Sequence, residues 1–590
     1  MIKSFILVYS LFSRKQKFFF VIICALIFLV TLLELFSLGL IIPLITSITS
    51  VNFLDNNFVS VFKKIFPDLT RKQMIFYILG FFFIVYIVKS LISFLTVYAQ
   101  FYWAHSVQQF FRNKIFINIL NKDYKFFLKN NSAKLLSKII NHVDTFTTYF
   151  LMPIMFIILE GIIIISVTIL LFFYEPLVMF FISIFSLIFV NYYFSFAGRQ
   201  LTIYGDSWKK NDEESIKYIQ QTFEGIKENI LFQRQNFYIK KVDLHTSATS
   251  KALSLYLAIQ QAPRILLELV SVVALTFLIF YSIIKSDTDY DQIIIKIALF
   301  AAAAFKILPS INRFIYSLQS LKFSKNIINI LIKDLVVKNN KANFFAKKKK
   351  VILFNNKIEI KNVSFSYSEN ITKELVLKNI NLNILKGDKI GIIGKTGSGK
   401  STFFDLFSGL LKPQKGTILV DGLSIYQNIN SWHNSIAYVP QTAFFLEDSI
   451  KNNIIFYDKK PDQNYLNLVL KITELKNFIK KKKKGLEEFI GERGTQISGG
   501  QKQRISIARA LYKKTKILIL DESTSALDEK TQKKVLKNIF NYKDLTIIFI
   551  SHNKNALKFC DKIYEMKDKS LFLISTDNKK NNTNLIKSLN

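Results

Sequence analysis

The residues best suited to chemistry lie in GDKIGIIGKTGSGKS, residues 387–401. A β-branched run ends at Gly394 and leads into G-x-x-x-x-G-K-S, the order of strand, glycine-rich loop and helix that a phosphate cradle needs. Gly394, Gly397 and Gly399 leave room for the backbone N–H groups of a loop running through Lys395, Thr396 and Ser398 to wrap phosphate oxygens, because a β-carbon would block close approach. Lys400 then faces the β- and γ-phosphates with a positive charge, and the Ser401 hydroxyl can reach Mg²⁺. Thr402 follows in a helix whose positive dipole end points at the anion. The implied ligands are ATP and Mg²⁺. A chance glycine-rich loop is the plainer alternative, and the spacing and strand context weigh against it.

Two apolar runs end in groups that could act on such a ligand. KILILDES delivers Asp521 and Glu522 at the end of a strand. Phosphoryl transfer is mostly positioning and charge neutralisation, so one carboxylate toward the metal and the next toward water is the arrangement required. Asp521 is expected to hold the metal through its water shell, and Glu522 to act as general base. LTIIFISH ends at His552. A lone histidine is more often structural; its place at a parallel strand's end beside the other two makes it a candidate for contact with the γ-phosphate.

Taken in order, these and the neighbouring segments resemble the ATP-binding cassette family over nearly all of the chain after residue 358. VSFSYSEN resembles the segment whose aromatic, here Tyr367, stacks on adenine. AYVPQ supplies Gln441, which in that family contacts Mg²⁺ and the attacking water, so the implied metal contacts are Ser401, Gln441 and Asp521. ISGGQKQR resembles the signature motif, with Ile497 where Leu is usual. The resemblance implies that Ser498, Gly499, Gly500 and Gln501 cap a nucleotide held by the partner subunit, and that Asp528 in SALD lies on the segment crossing to it. GERG, residues 491–494, resembles the exporter-specific stretch before the signature. One cassette per chain with every element intact implies a homodimer, a heterodimer being the alternative.

These groups need a scaffold, and composition divides it. Half the 590 residues are hydrophobic and mean hydropathy is +0.26, with the apolar excess in the first half. A crossing needs about 20 largely apolar residues in helix. Six stretches qualify, at 18–45, 74–100, 150–173, 177–196, 265–284 and 293–318. With the N-terminus inside, the internal segments 1–17, 101–149 and 197–264 carry 21 Lys and Arg, against 5 in the external segments 46–73 and 285–292. Six spans then leave the C-terminal half on the cytoplasmic side. The expected fold is an all-α six-helix transmembrane domain over 1–325, a linker over 326–357, an α/β P-loop nucleotide-binding domain over 358–577 and a disordered tail from 578. The internal stretches Asp123 to Phe146 and Tyr218 to Val242 show apolar residues three and four apart and read as helices extending from the membrane.

The net charge of +37 fits nucleic-acid binding, attraction to anionic lipid, or lysines on solvated faces; no nucleic-acid-reading module is recognisable. A peripheral ATPase acting on nucleic acid is therefore the distant alternative. Only Cys24 and Cys560 are present, which excludes a disulfide framework. The N-terminal apolar run is too long for a signal-peptide core and is expected to stay as a span.

Fusion of spans and cassette resembles exporters. Glu34, Lys89, Glu160, Arg264, Glu268, Lys306 and Arg313 lie in or near the spans. Facing lipid, each would cost about 2.5–3.5 kcal/mol at the bilayer centre, so they should line a cavity, pair, or snorkel. Lys89, Lys306 and Arg313 are the candidate cavity residues, and a basic cavity suits an anionic headgroup. Pairing, such as Arg264 with Glu268, is the plainer reading. The external stretch placing Leu54, Phe58, Val61, Phe62 and Ile65 on one face, and the opening LLELFSLGLIIPLI, resemble bacterial lipid-linked oligosaccharide flippases. The resemblance implies a flippase in the bacterial cytoplasmic membrane acting on a lipid-linked glycan or other anionic lipid, with lipid A-type lipid, peptide or drug as alternatives.

Overall fold

The computed structural model describes residues 2–49, 70–174, 176–285, 290–336, 351–368, 375–542 and 544–576. The expected surface helix at 54–65, the run Lys347 to Lys350 and the tail from 578 lie outside these residues. The chain forms two compact units, Met1–Lys122 with Phe127–Lys341, and Asp123–Phe126 with Ala342–Asn590.

The first unit is helical: α1 (Ile2–Leu11), α2 (Arg14–Gly39), α3 (Ile41–Thr49), α4 (Arg71–Leu120), α5 (Tyr124–Lys129, partly in the second unit), α6 (Ser132–Ile139), α7 (Asn141–Phe146), α8 (Met152–Tyr174), α9 (Pro176–Glu224), α10 (Ile226–Leu231), α11 (Gln235–Lys285), α12 (Tyr290–Phe323) and α13 (Lys325–Val336). Five described helical stretches are long and apolar enough to cross a membrane, Arg14–Ile45, Lys72–Leu120, Ser132–Phe173, Gln235–Phe277 and Ile297–Phe323. The expected fourth span, 177–196, lies within α9. Capping boxes start two of these helices, Ser13 with Gln16 at α2 and Thr70 with Gln73 at α4, each satisfying N–H groups the helix cannot. The core gathers Val8, Phe12, Ile23 and Ile27 with Trp103, Phe111, Phe146 and Phe150. Trp103 Nε1 donates to the Gln16 carbonyl at 2.9 Å, so its polar edge is satisfied where its ring is buried.

The linker expected over 326–357 begins later than its composition implied. Residues 325–336 form helix α13, and Ile327, Ile328, Leu331, Ile332 and Leu335 are buried. Their spacing of three to four is helical, and the intervening Lys and Asn occupy the opposite face. Similarly, Ile352 and Phe354 are buried in the second unit, whose core starts before 358.

The second unit carries two sheets. An antiparallel sheet has the order β2 (Leu377–Leu385), β1 (Lys357–Phe365), β4 (Lys415–Val420), β5 (Leu423–Ser424). The other has the order β10 (Ser570–Thr576), β9 (Lys562–Lys567), β3 (Lys389–Ile393), β8 (Thr546–Ile550), β7 (Ile517–Asp521), β6 (Ile436–Val439), parallel from β9 to β6. Strands β3, β7 and β8 are buried almost throughout, as continuous Ile and Leu runs covered on both faces should be. Their adjacency brings the segments after Ile393, Asp521 and Ile550 to one edge, the usual place for a ligand in an open α/β sheet.

Candidate functional site

Helix α14 (Lys400–Phe407) starts at Gly399, whose φ of 101° few other residues tolerate; a Cβ there would stand 2.8 Å from Leu377 Cδ2. Gly397 is required differently. A Cβ on it would meet nothing within 4 Å, so no protein group crowds this position, and the demand is its φ of 81°. For the chain itself Gly397 serves the turn, and the room it leaves for a phosphate is a separate matter of the bound ligand. The loop Gly394 to Ser398 thus turns tightly from β3 into a helix N-terminus, placing N–H groups where an anion can meet them. Lys400 Nζ donates to the carbonyls of Gly394 and Lys395 and lies 3.5 Å from His552 Nε2. Burial lowers its pKa, while Glu522 and Asp521 oppose the shift.

Glu522 is the hub. Its backbone, at φ 46°, is held by its N–H donating to the Ile550 carbonyl at 3.1 Å, which ties the end of β7 to β8. Gln441 Nε2 donates to Glu522 Oε2 at 2.7 Å, and His552 Nε2 lies 2.9 Å from Oε1. The three expected residues meet, and the carboxylate is aimed by a group on either side. Asp521 beside it accepts from Tyr438 at 3.0 Å. Burial raises the pKa of Asp521; Tyr438 lowers it, Glu522 raises it further, and Lys400 lowers it.

A half-buried carboxylate pair of this kind is relieved by a cation. Beside it stands the Gln441 amide, whose nitrogen is engaged with Glu522, and Ser401 opens the helix that follows the glycine-rich loop. Such hard oxygen donors fit Mg²⁺, which keeps several waters and leans on phosphate oxygens. Among the described residues no group of three or more His, Cys, Asp or Glu could hold a metal alone.

Tyr367, expected against adenine, is 40% exposed; its hydroxyl pairs with Thr402 Oγ1 at 3.1 Å and its ring sits edge-on to Phe365. Ser498 caps α15 (Gly499–Tyr512) in a reciprocal box with Gln501, leaving Ser498 and Gly499 exposed at a positive helix end. Gly500 packs against the Ala526 carbonyl, where a Cβ would be 3.0 Å away. Ile497 is buried in the core cluster, as an isosteric replacement of Leu can be. Asp528 also caps α16 (Glu529–Phe540), accepting from the Thr531 N–H at 2.9 Å.

Two residues escape a reading of the sequence alone. Tyr438 stands three places before Gln441 in AYVPQ and has the pattern of an ordinary strand residue. Arg509 donates to the carbonyls of Asn453 and Phe444 at 2.7 Å between the rings of Phe445 and Phe456, pinning the segment after Gln441. An arginine in an amphipathic helix gives no sign of this.

The basic residues expected in or near the spans all have acidic neighbours. Lys89 and Lys306 each lie 3.1 Å from Glu34, Arg313 lies 2.5 Å from Glu160, and Arg264 lies 3.3 Å from Glu268. Candidate cavity residues Lys89, Lys306 and Arg313 thus each have an acidic neighbour, but Lys89 and Lys306 share the one carboxylate of Glu34, while Arg313 has that of Glu160.

Fold and site together define a P-loop ATPase unit behind a multi-pass helical membrane unit. Residues 377–525 match the family described as ABC transporter, and residues 18–305 match the ABC transporter transmembrane region. The chain accordingly carries an ABC transporter transmembrane region, integral to the membrane, followed by an ABC transporter ATPase domain. It is 40% identical over 224 residues to the multidrug resistance-like ATP-binding protein MdlA of Buchnera aphidicola subsp. Schizaphis graminum, covering 38% of each chain. It is 31% identical over 345 residues to the heterocyst differentiation ATP-binding protein HepA of Nostoc, covering 57% of this chain and 53% of that one. Against the alpha-hemolysin translocation ATP-binding protein HlyB of Escherichia coli O157:H7, identity is 39% over 211 residues, 35% of this chain and 30% of that one. These matches span well under two thirds of the relatives' lengths. A solved bacterial Atm1-family ABC exporter with ATP bound shares the fold at TM-score 0.78 and 17% identity, covering 98% of this chain and 96% of that one. These names speak of multidrug resistance, heterocyst differentiation and alpha-hemolysin translocation, so the likeness to flippases in particular is not carried by them.

Proposed function

We propose that two copies of this chain form an exporter that couples ATP hydrolysis to movement of an amphipathic, anionic cargo across the bacterial cytoplasmic membrane, a lipid-linked oligosaccharide or other anionic lipid being the first choice. The coupling reading rests on the meeting of Lys400, Glu522, Gln441 and His552 in a domain that follows membrane-spanning helices on one chain. In it Glu522 takes the proton of the attacking water, with its two oxygens oriented by Gln441 and His552, and Lys400 balances charge on the phosphates. Ser401, Gln441 and Asp521 hold Mg²⁺, which supplies charge neutralisation on the phosphate oxygens. Ser498, Gly499 and Gly500 close over the partner's nucleotide.

The anionic-cargo reading rests on Lys306 and Arg313, two turns apart on one helix within a span. A second reading, a neutral drug-like cargo, is favoured by a cleft lined by Leu171, Met179, Leu267, Leu275, Phe300 and Ile311, almost wholly apolar. ATPase activity of the reconstituted chain, measured with polyprenyl-pyrophosphate glycans, anionic lipids, peptides and drugs, separates them. Stimulation by anionic lipids or glycans supports the first reading; stimulation by drugs alone removes it. Glu522→Gln should lower turnover by about 100-fold or more in every arm while ATP still binds, and a variant that hydrolyses normally would remove Glu522 as base.

A further inference from the structure

Glu34 sits in α2 with its side chain 3% exposed, and its two carboxylate oxygens meet two lysines from different helices. The two contacts are unequal. Lys89, on α4, approaches Oε1 at 3.1 Å as a hydrogen bond, donates to Ser37 Oγ at 3.3 Å and lies 4.1 Å from the centre of the Tyr86 ring. Carboxylate, hydroxyl and aromatic face surround an ammonium whose side chain is 11% exposed, so Lys89 is fully occupied. Lys306, on α12, reaches Oε2 at the same 3.1 Å. That oxygen is nonetheless buried and without a hydrogen-bond partner, so the contact is one of charge without alignment. The Lys306 side chain is 30% exposed and carries three N–H donors, of which this contact uses none well.

Charge sharpens the asymmetry. Two ammonium groups against one carboxylate leave one positive charge in a span without a second counter-ion among the described residues, where it is costly unless an anion is supplied. Lys89 already satisfies Glu34 alone. Lys306 is the surplus cation, held weakly and partly exposed.

We propose that Lys306 is an exchangeable cation for the cargo: it leaves Glu34 for a phosphate group on an amphiphile, while Glu34 stays neutralised by Lys89. Glu34 is the internal stand-in for the cargo's charge. The inference rests on the anionic-cargo reading above and assigns its contact atom. No bond is made or broken; one ion pair replaces another, and the incoming phosphate offers the alignment that Oε2 lacks.

The test uses the full chain in phosphatidylcholine vesicles, with phosphatidylglycerol titrated in and ATPase rates expressed relative to each variant's own rate in phosphatidylcholine. The half-stimulating fraction should rise about tenfold, or stimulation vanish, in Lys306→Gln, as loss of a charge-assisted contact requires. It should fall in Glu34→Gln, which releases Lys306 from its competitor. Lys306→Arg keeps the cation and should keep the response, and phosphatidylglycerol retention in native mass spectrometry should follow the same order should Lys306→Gln fold poorly. If wild type and Lys306→Gln respond alike, the assignment of Lys306 is overturned while the anionic-cargo reading stands. A response to soluble glycerol 3-phosphate equal to that for the lipid would overturn the lipid-borne phosphate. If wild type answers to no anionic amphiphile at all, the anionic-cargo reading falls and the inference with it.

Discussion

The hydroxyl of Tyr438 donates a hydrogen bond to Oδ2 of Asp521 at 3.0 Å, linking strand β6 to the carboxylate expected to hold the metal. Burial and the neighbouring Asp521 push the phenol's pKa up, so Tyr438 keeps its proton and remains a donor. One Asp521 oxygen is thereby occupied, and the other is the one that would meet the water shell of the proposed metal. Tyr438→Phe keeps the ring and removes only the donor. Loss of one hydrogen bond of about 1 kcal/mol to a carboxylate should raise the Mg²⁺ concentration for half-maximal ATPase about fivefold. ATP affinity without Mg²⁺ and the turnover at saturating Mg²⁺ should change little. Manganese binding to the ATP-loaded variant, read by electron paramagnetic resonance, should weaken by the same factor. An unchanged Mg²⁺ curve with lowered thermal stability would make Tyr438 a packing residue instead.

What could be read from sequence here was what sits in the chain as contiguous pattern. Gly394 to Ser401 and the pair Asp521 and Glu522 lie at the ends of apolar runs, and a parallel sheet brings such ends to one edge whatever the rest of the chain does. Pairings between distant residues were less accessible. Glu34 lies 55 positions from Lys89, and nothing in either neighbourhood says which cation meets which carboxylate, because that is set by how three helices are rotated about their axes. Tyr438 was missed for the same reason, its partner lying 83 positions on. Helix α13 was missed because its polar face dominated the composition, although the buried positions from Ile327 to Leu335 carry a helical period.

Two glycines seven residues apart on α9 give a packing prediction. A Cβ on Gly205 would run into the backbone carbonyl of Phe323 at the end of α12, whereas one on Gly198 would meet the ammonium end of Lys322. The backbone cannot step aside, while the long lysine can take another rotamer. Gly205→Ala should therefore destabilise the membrane unit by about 1–3 kcal/mol, and Gly198→Ala by less. Thermal unfolding of both variants in one detergent, followed by loss of the monodisperse peak in size exclusion, ranks them. Equal midpoints for the two would show that α9 and α12 are free to separate there.

Asp405, on α14 one turn beyond Ser401, has its carboxyl pKa raised from 3.8 to about 6, first by burial and then by the charge of Asp521. A carboxyl whose folded pKa stands above its unfolded value holds its proton more tightly in the folded chain. Acid therefore favours the fold at this position: stability is greatest below the unfolded pKa, declines as pH rises through the window from 3.8 to about 6, and carries a constant penalty above it. Asp405→Asn removes the ionisation. The variant should match wild type near the lower edge of that window and exceed it at neutral pH by about 1–2 kcal/mol, after discounting for the solvent that screens a half-buried group. Thermal unfolding of the nucleotide-free full chain at both ends of the window gives the difference, because titrating groups other than the coupled Asp521 contribute equally to both proteins. A variant advantage that stays the same across the window would mean that Asp405 destabilises through shape, and that its charge is already solvated in the folded chain.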